Sequence, residues 1–416
     1  MPKRQINDLA LLGGKPAFAE PLHVGYPNVG RREDLLERIA SILDSRRLTN
    51  RGPYVREFER KVAELAGVKH CIAMCNATVA MEIVTRALGL SGEVIVPAMT
   101  FVATAHALQW QQITPVFCDV DPETQTLDPA RVEELITPRT TGIVGVHLWG
   151  RPCDVYGLTE VARQRGLKLV FDAAHAFGCS YRGRMIGGFG DAEVFSFHAT
   201  KVLNTFEGGA VLTNNDELAE KVRLMQNFGF AGYDNVIHVG TNGKMSEVSA
   251  AMGLTSLESF EGFVERNREN YHRYRERLEA VDGLRVVRYD EAERCNYHYV
   301  VAEIDAQRLG LTRDELARVL LAENVLARRY FYPGVHRMEP YRSYFPHARL
   351  LLPHTERLVN NVLTFPNGEA VDARGIDAIA DIVQLAHDHA AELHALLNAS
   401  EAEAPPVLTG RKIRHA

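Results

Sequence analysis

A chain of 416 residues, 46% hydrophobic, 24% charged and 8% aromatic, has the make-up of a globular protein large enough for two domains, which excludes a disordered or fibrous chain. Its formal net charge of −6 gives no general attraction for nucleic acid or an anionic membrane, although a local basic pocket for a phosphorylated ligand stays open. Six cysteines are scattered without a C-x-x-C pair, MPKRQINDLALLGG makes a poor secretory signal, and no apolar run approaches the ~20 residues of a membrane span. We therefore expect a cytoplasmic protein with reduced thiols and with neither membrane nor nucleic acid as a partner.

From about Lys69 onward, short β-rich runs alternate with helical patterns: CIAM, a helix from Thr78, EVIVP, TFVATAHALQW, PVFCDV, a helix after Asp128, TGIVGVHL, a helix after Asp154, and LKLVFDAAHA. This is the rhythm of βαβ units, and the nearly continuous apolar runs suit buried parallel strands. After Asp191 come AEVFSF and GAVLTNN, then long helices from Asp216 and from Met245 into the charged ERNRENYHRYRERLEAV. Beyond it LRVVRY, HYVVAEI, a helix from Thr312, VLARRYFY, VLTFP and a helix near Val371 to Leu397 read as a smaller α+β domain. The expected division is an N-terminal segment over 1–40 packing near the small domain, a large domain over 41–265, the small domain over 266–398, and a mobile tail over 399–416.

Ligands of such sheets bind beyond the carboxyl ends of the strands, and four places there carry polar residues. In CIAMCNATVAMEIV a strand runs into Asn76-Ala77-Thr78 at a helix start, where free amides can hold a phosphate, or where Asn and Thr simply cap. Neither a dinucleotide fingerprint nor a Walker pattern accompanies it. Phe101 in VPAMTFVATAHA either stacks on an aromatic ring or fills the core. Asp172 in LKLVFDAAHAFG either caps a turn or meets a buried cation. Lys201, in VFSFHATKVLNTFEGGAV, stands between an apolar run and a Gly-Gly turn. Together these are the parts that pyridoxal phosphate requires: a phosphate cradle, a stacking ring, a carboxylate for a pyridinium nitrogen and a Schiff-base lysine. His387, His389 and His394 do not make a metal site, because helical residues two apart point away from each other.

The stretches DAAHAFG, GDAEVFSFHATKVLNTFEGGAV and GTNGKMSEVSAAMG, in that order, resemble the DegT/DnrJ/EryC1/StrS family of sugar aminotransferases. That resemblance implies a fold type I α/β architecture: a large domain with a mostly parallel seven-stranded sheet flanked by helices, plus a smaller C-terminal α+β domain. It implies Lys201 as the Schiff-base lysine, Asp172 as partner of the pyridine nitrogen, and Ser196 with Asn76, Ala77 and Thr78 around the cofactor phosphate. Phe101 would stack on the ring and His175 would lie near its phenolic oxygen. Asn242 would reach the phosphate of a neighbouring subunit, making the active unit a homodimer with shared sites.

The implied reaction takes the amino group of L-glutamate and passes it to a nucleotide-linked ketosugar, with C-4 of a dTDP-4-keto-6-deoxyhexose as the reading and a C-3 ketosugar as the near alternative. A sensor that binds without turnover is the rival from another class. Lysine at position 201, where deoxygenating relatives carry histidine, favours transamination over dehydration. It leaves His198 as a packing or hydrogen-bonding residue. Lys244, Arg328, Arg329 and His336 are candidates for the diphosphate, with Tyr332 beside them, or are ordinary surface and interdomain residues.

Overall fold

The computed structural model describes residues 3–403. Seven strands form the central sheet: β1 (His70–Met74), β2 (Glu93–Pro97), β3 (Thr114–Cys118), β4 (Thr140–Val146), β5 (Lys168–Asp172), β6 (Ala192–Ser196) and β7 (Gly209–Thr213). Their spatial order is β1-β7-β6-β5-β4-β2-β3. All neighbours are parallel except β7, which runs antiparallel to both β1 and β6. Successive side chains of a strand point to opposite faces, and both faces are apolar here. Leu169 and Phe171 of β5 enter one core with Ile95, Ile143 and Phe195, while Val170 enters the other with Val96, Val144 and Val194. Helices cover each face, which is why the strands read as unbroken apolar runs.

A second sheet of three antiparallel strands, β8 (Leu284–Val286), β9 (Val300–Ile304) and β10 (Val362–Phe365), forms the smaller α+β unit. The helices Phe260–Leu278, Arg313–Ala322 and Ala373–Asp388 share its core. The N-terminal segment is fastened to this unit: Leu22–His23 pairs in parallel with Val325–Leu326. The fully buried Glu323 carboxylate accepts from the amides of Ala10 and Ala17, both at 2.7 Å.

Five local features differ from expectation. The long helix from Met245 is two helices, Glu247–Glu258 and Phe260–Leu278, separated at Ser259. The terminal helix likewise divides at His389 into Ala373–Asp388 and Ala390–Glu403. No Gly or Pro marks either break, so propensity gave no warning. VLARRYFY contributes only Val325–Leu326 as strand, plus a bridge from Arg328 to Thr364. Between β7 and Glu247 a small hairpin, Phe230–Gly232 with Asn235–Val236, stands where none was expected. The helix Ala390–Glu403 takes in the start of the tail expected from Ala399, and the remainder of that tail lies outside the described residues.

Candidate active site

One cleft of ≈ 650 Å³ opens at the carboxyl ends of the central strands, and Asn76, Ala77, Thr78, Phe101, Asp172, His175, Ser196 and Lys201 all line it. It lies where doubly wound sheets place their ligands. Its volume is in the range of small-molecule sites.

The phosphate-sized corner begins with Asn76, which follows β1 with an extended backbone (φ −166°, ψ 168°) and whose side chain accepts from the Val79 amide at 2.8 Å. That caps one of the helix's orphan donors and leaves the amides of Ala77 and Thr78 without an intrahelical acceptor, at the positive end of the dipole. Gly209 lets β7 approach this turn, since a Cβ there would sit 2.6 to 2.8 Å from backbone atoms of Asn76 and Ala77. Ser196, the last residue of β6, adds a hydroxyl that is 8% exposed.

Asp172 ends β5 with one carboxylate oxygen accepting from the Thr104 hydroxyl at 2.7 Å and the other from the Ala174 amide at 3.1 Å. The Ala174 contact is a short turn cap and occupies one oxygen. The other is held by a hydroxyl that a second hydroxyl, Thr100, meets at 2.9 Å. Phe101 precedes the helix Val102–Gln109 and is 56% exposed on the cleft wall, so it does not fill the core. His175 is buried, and Nδ1 accepts from the Trp149 amide at 3.3 Å. That contact places its proton on Nε2. Burial, with the Lys201 charge second, holds it well below the usual histidine range, so it stays neutral.

Lys201 sits on the loop from β6 to β7. The loop is closed by Phe197 donating to the Gly208 carbonyl and Thr205 to that of Phe197, both at 2.9 Å. Burial lowers the Lys201 amine to about 8, against the opposing pull of the Asp172 charge. An amine that titrates there is a nucleophile and base near neutral pH, which an arginine cannot be. The segment His23 to Pro27 forms part of the same cleft. It is tied to the lysine loop by Asn28 donating to the Val202 carbonyl (3.0 Å) and Asn204 donating to that of Asn28 (2.8 Å).

Asn242 stands apart. It is exposed and does not line the cleft of its own chain, although it bridges Asn227 beside the end of β1. Of the cation candidates, only Arg328 lines the cleft, stacked 4.8 Å from the centre of the Tyr330 ring. Arg329 pairs with Asp314, His336 with Glu356, and Lys244 donates to Asn227. Tyr332 lies under Arg313 and Arg329. His198 lines the cleft with Nδ1 2.8 Å from the Thr200 hydroxyl. Tyr299 and Phe331 line the cleft from segments far from its motifs, with Trp149 packed on Phe331 and His298 reaching the Thr200 carbonyl behind it. The indole of Trp149 stacks parallel to Phe331 and near-parallel to His175. A buried tryptophan one residue before Gly150 in HLWG is the only local hint of this wall.

The chain is an aminotransferase: it belongs to the DegT/DnrJ/EryC1/StrS aminotransferase family, whose model matches residues 30–384. It is 39% identical over 323 residues to the dTDP-4-amino-4,6-dideoxy-D-glucose transaminase of Shigella dysenteriae, covering 77% of this chain and 88% of that protein. The protein of the same name from Escherichia coli is 33% identical over 346 residues, covering 82% and 92%. Among solved structures, that of DesI in the presence of its TDP-sugar product superposes with a TM-score of 0.91 at 51% identity, covering 94% of this chain and 100% of that one.

Proposed function

We propose that this aminotransferase uses pyridoxal 5′-phosphate to move the amino group of L-glutamate to C-4 of a dTDP-4-keto-6-deoxyglucose, giving dTDP-4-amino-4,6-dideoxyglucose. The observation that carries the reading is the desolvated Lys201 amine in one cleft with the Asp172 carboxylate and the start of the Ala77–Ala87 helix. The Shigella and Escherichia relatives, both dTDP-4-amino-4,6-dideoxy-D-glucose transaminases by name, and the DesI structure with its TDP-sugar product support the sugar class. The donor set fits the cofactor: amides of Ala77 and Thr78 and the hydroxyls of Thr78 and Ser196 suit a phosphate, and Asp172 suits a ring nitrogen that must keep its proton.

When bound, the cofactor supplies an aldehyde for amines and an electron sink for the pair left as the substrate loses its α-proton. The protein's part is to move and hold protons. Lys201, once its amine is free, takes the proton from the α-carbon of glutamate and returns one to the sugar carbon in the second half. Asp172, held by Thr104, offers an acceptor toward the ring nitrogen. His175 donates from Nε2 and Phe101 covers one side. Arg328 is the cleft guanidinium without a carboxylate partner among the described residues, and it meets the diphosphate. Arg328→Gln is expected to raise the KM for the sugar nucleotide roughly ten- to a hundredfold, as for a lost charged hydrogen bond, while the glutamate KM moves far less. Equal changes in both, or none, would remove that role.

The active unit in this reading is a homodimer in which Asn242 completes the partner's site. Its exposure outside its own cleft supports this, as do the exposed Phe228, Phe230, Tyr233 and Ile237 nearby. Asn242→Ala is expected to weaken cofactor retention about tenfold on gel filtration while the dimer persists. Unchanged retention argues against the shared site. The reading as a whole is tested with a panel of dTDP-linked 4-keto and 3-keto sugars, glutamate as donor, and NMR location of the new amine. Amination at C-4 is expected, and amination at C-3 alone would replace the substrate assignment.

A further inference from the structure

Four consecutive residues, Asn296 to Tyr299, lead into β9 from the smaller unit and touch both loops that carry the reactive groups. Asn296, fully buried, donates to the carbonyls of His175 (2.9 Å) and Phe177 (3.0 Å). Its own side-chain oxygen accepts from the His298 amide at 3.1 Å. The His298 ring meets the Thr200 carbonyl with Nε2 at 2.8 Å. A carbonyl only accepts, so Nε2 carries the proton. Burial, the largest influence, holds His298 at about 4, which keeps the ring neutral at working pH. From the other side Asn367 donates to the carbonyls of Tyr297 (2.7 Å) and His298 (3.2 Å). The segment is therefore held while it holds the residue before Lys201.

Tyr299 completes the grip. It is 5% exposed, with its ring 4.5 Å from His175 and 5.7 Å from Trp149 between ring centres. Packing explains the ring. It does not explain the hydroxyl, whose one hydrogen-bond neighbour among the described residues is the Lys201 Nζ at 3.5 Å. Buried tyrosine hydroxyls normally find a partner, and this one has the reactive amine. The distance is long for such a bond, and contacts of this kind tighten when the reacting partners are in place. The titratable groups facing the amine are Asp172 from the end of β5, His175 from the turn after it, and His298 and Tyr299 from this segment.

We propose that Tyr299 is a further catalytic residue of the transamination, its hydroxyl accepting from and aiming the Lys201 amine whenever that amine is free, and that His298 is a positioning residue that fixes the peptide beneath it. The assignment rests on the aminotransfer reading of the cleft. It gives the smaller unit a direct hold on the chemistry of the larger one, through a side chain that no motif of the sequence marks.

The test begins with the full chain free of cofactor, acetylating Lys201 across a pH series and quantifying the labelled peptide by mass spectrometry. Tyr299→Phe keeps the ring and removes one acceptor of the ammonium form, so the labelling midpoint is expected to fall by roughly half to one pH unit. In the reconstituted enzyme the same variant is expected to lose about tenfold in kcat at unchanged KM, with a larger isotope effect from glutamate deuterated at the α-carbon. His298→Leu should lose kcat in the same way, and His298→Gln, whose amide can still donate to the Thr200 carbonyl, should recover it. A folded Tyr299→Phe protein with the wild-type midpoint and isotope effect overturns the proposal. If wild-type enzyme fails to exchange with glutamate, the aminotransfer reading falls, while the midpoint in the cofactor-free chain still decides for or against the hydroxyl.

Discussion

Lys201→Ala is expected to lower turnover by at least about 10³-fold, because both the covalent attachment and the proton transfer at the substrate carbon use that one amine. The loss should not come from unfolding, and a second variant separates the two effects. The amine titrates near 8 in the folded chain against 10.5 for an ordinary lysine, chiefly because burial disfavours its charge. The folded state therefore binds this proton more weakly than the unfolded state. Below about pH 8 the buried ammonium costs the fold up to about 3 kcal/mol, and the cost fades as pH rises from 8 through about 10.5. Lys201→Met keeps the methylene volume and drops the charge. Cofactor-free Lys201→Met should thus melt above wild type at pH 7, with the gap closing toward pH 10.5 in a calorimetric series. Identical melting at pH 7 would mean that the amine is not desolvated.

Asp172→Asn is expected to bind the cofactor and still turn over roughly 10²- to 10⁴-fold more slowly. Thr104 can donate to an amide oxygen as it does to the carboxylate at 2.7 Å, so the local geometry survives. What changes is the sign of the partner offered to the ring nitrogen: an amide NH₂ opposes the proton that a carboxylate retains. Stopped-flow mixing with glutamate reads this step directly. The variant should keep the absorbance of the bound cofactor and lose the fast phase, whereas Lys201→Ala should lack the absorbance from the start. A wild-type fast phase in Asp172→Asn would remove the carboxylate from the mechanism.

Several of the residues that line the cleft were legible because they stand at or just past the end of a strand whose interior is apolar. Ser196 closes β6, Asp172 closes β5, and Asn76 follows β1 at a helix start. Polar chemistry at such an edge shows in a short window of sequence. Phe101 was ambiguous on that basis, since stacking and core aromatics look alike locally, and only its exposure in the fold separates them. Trp149, His298 and Tyr299 were not legible because their place beside the cleft depends on contacts between the two sheets. Tyr299 lies 98 residues from Lys201 in the chain. The basic candidates show the same limit: charge identified four, and only the fold reveals that Asp314, Glu356 and Asn227 engage Arg329, His336 and Lys244, leaving Arg328 in the cleft.

In the proposed function one amine of this chain, that of Lys201, forms the bond to the vitamin-derived aldehyde. Saturating the purified protein with pyridoxal 5′-phosphate, reducing with borohydride and mapping the modified peptide by mass spectrometry tests it most directly. A single stoichiometric adduct on Lys201 is expected. An unmodified Lys201, or an adduct spread over other lysines, would contradict it.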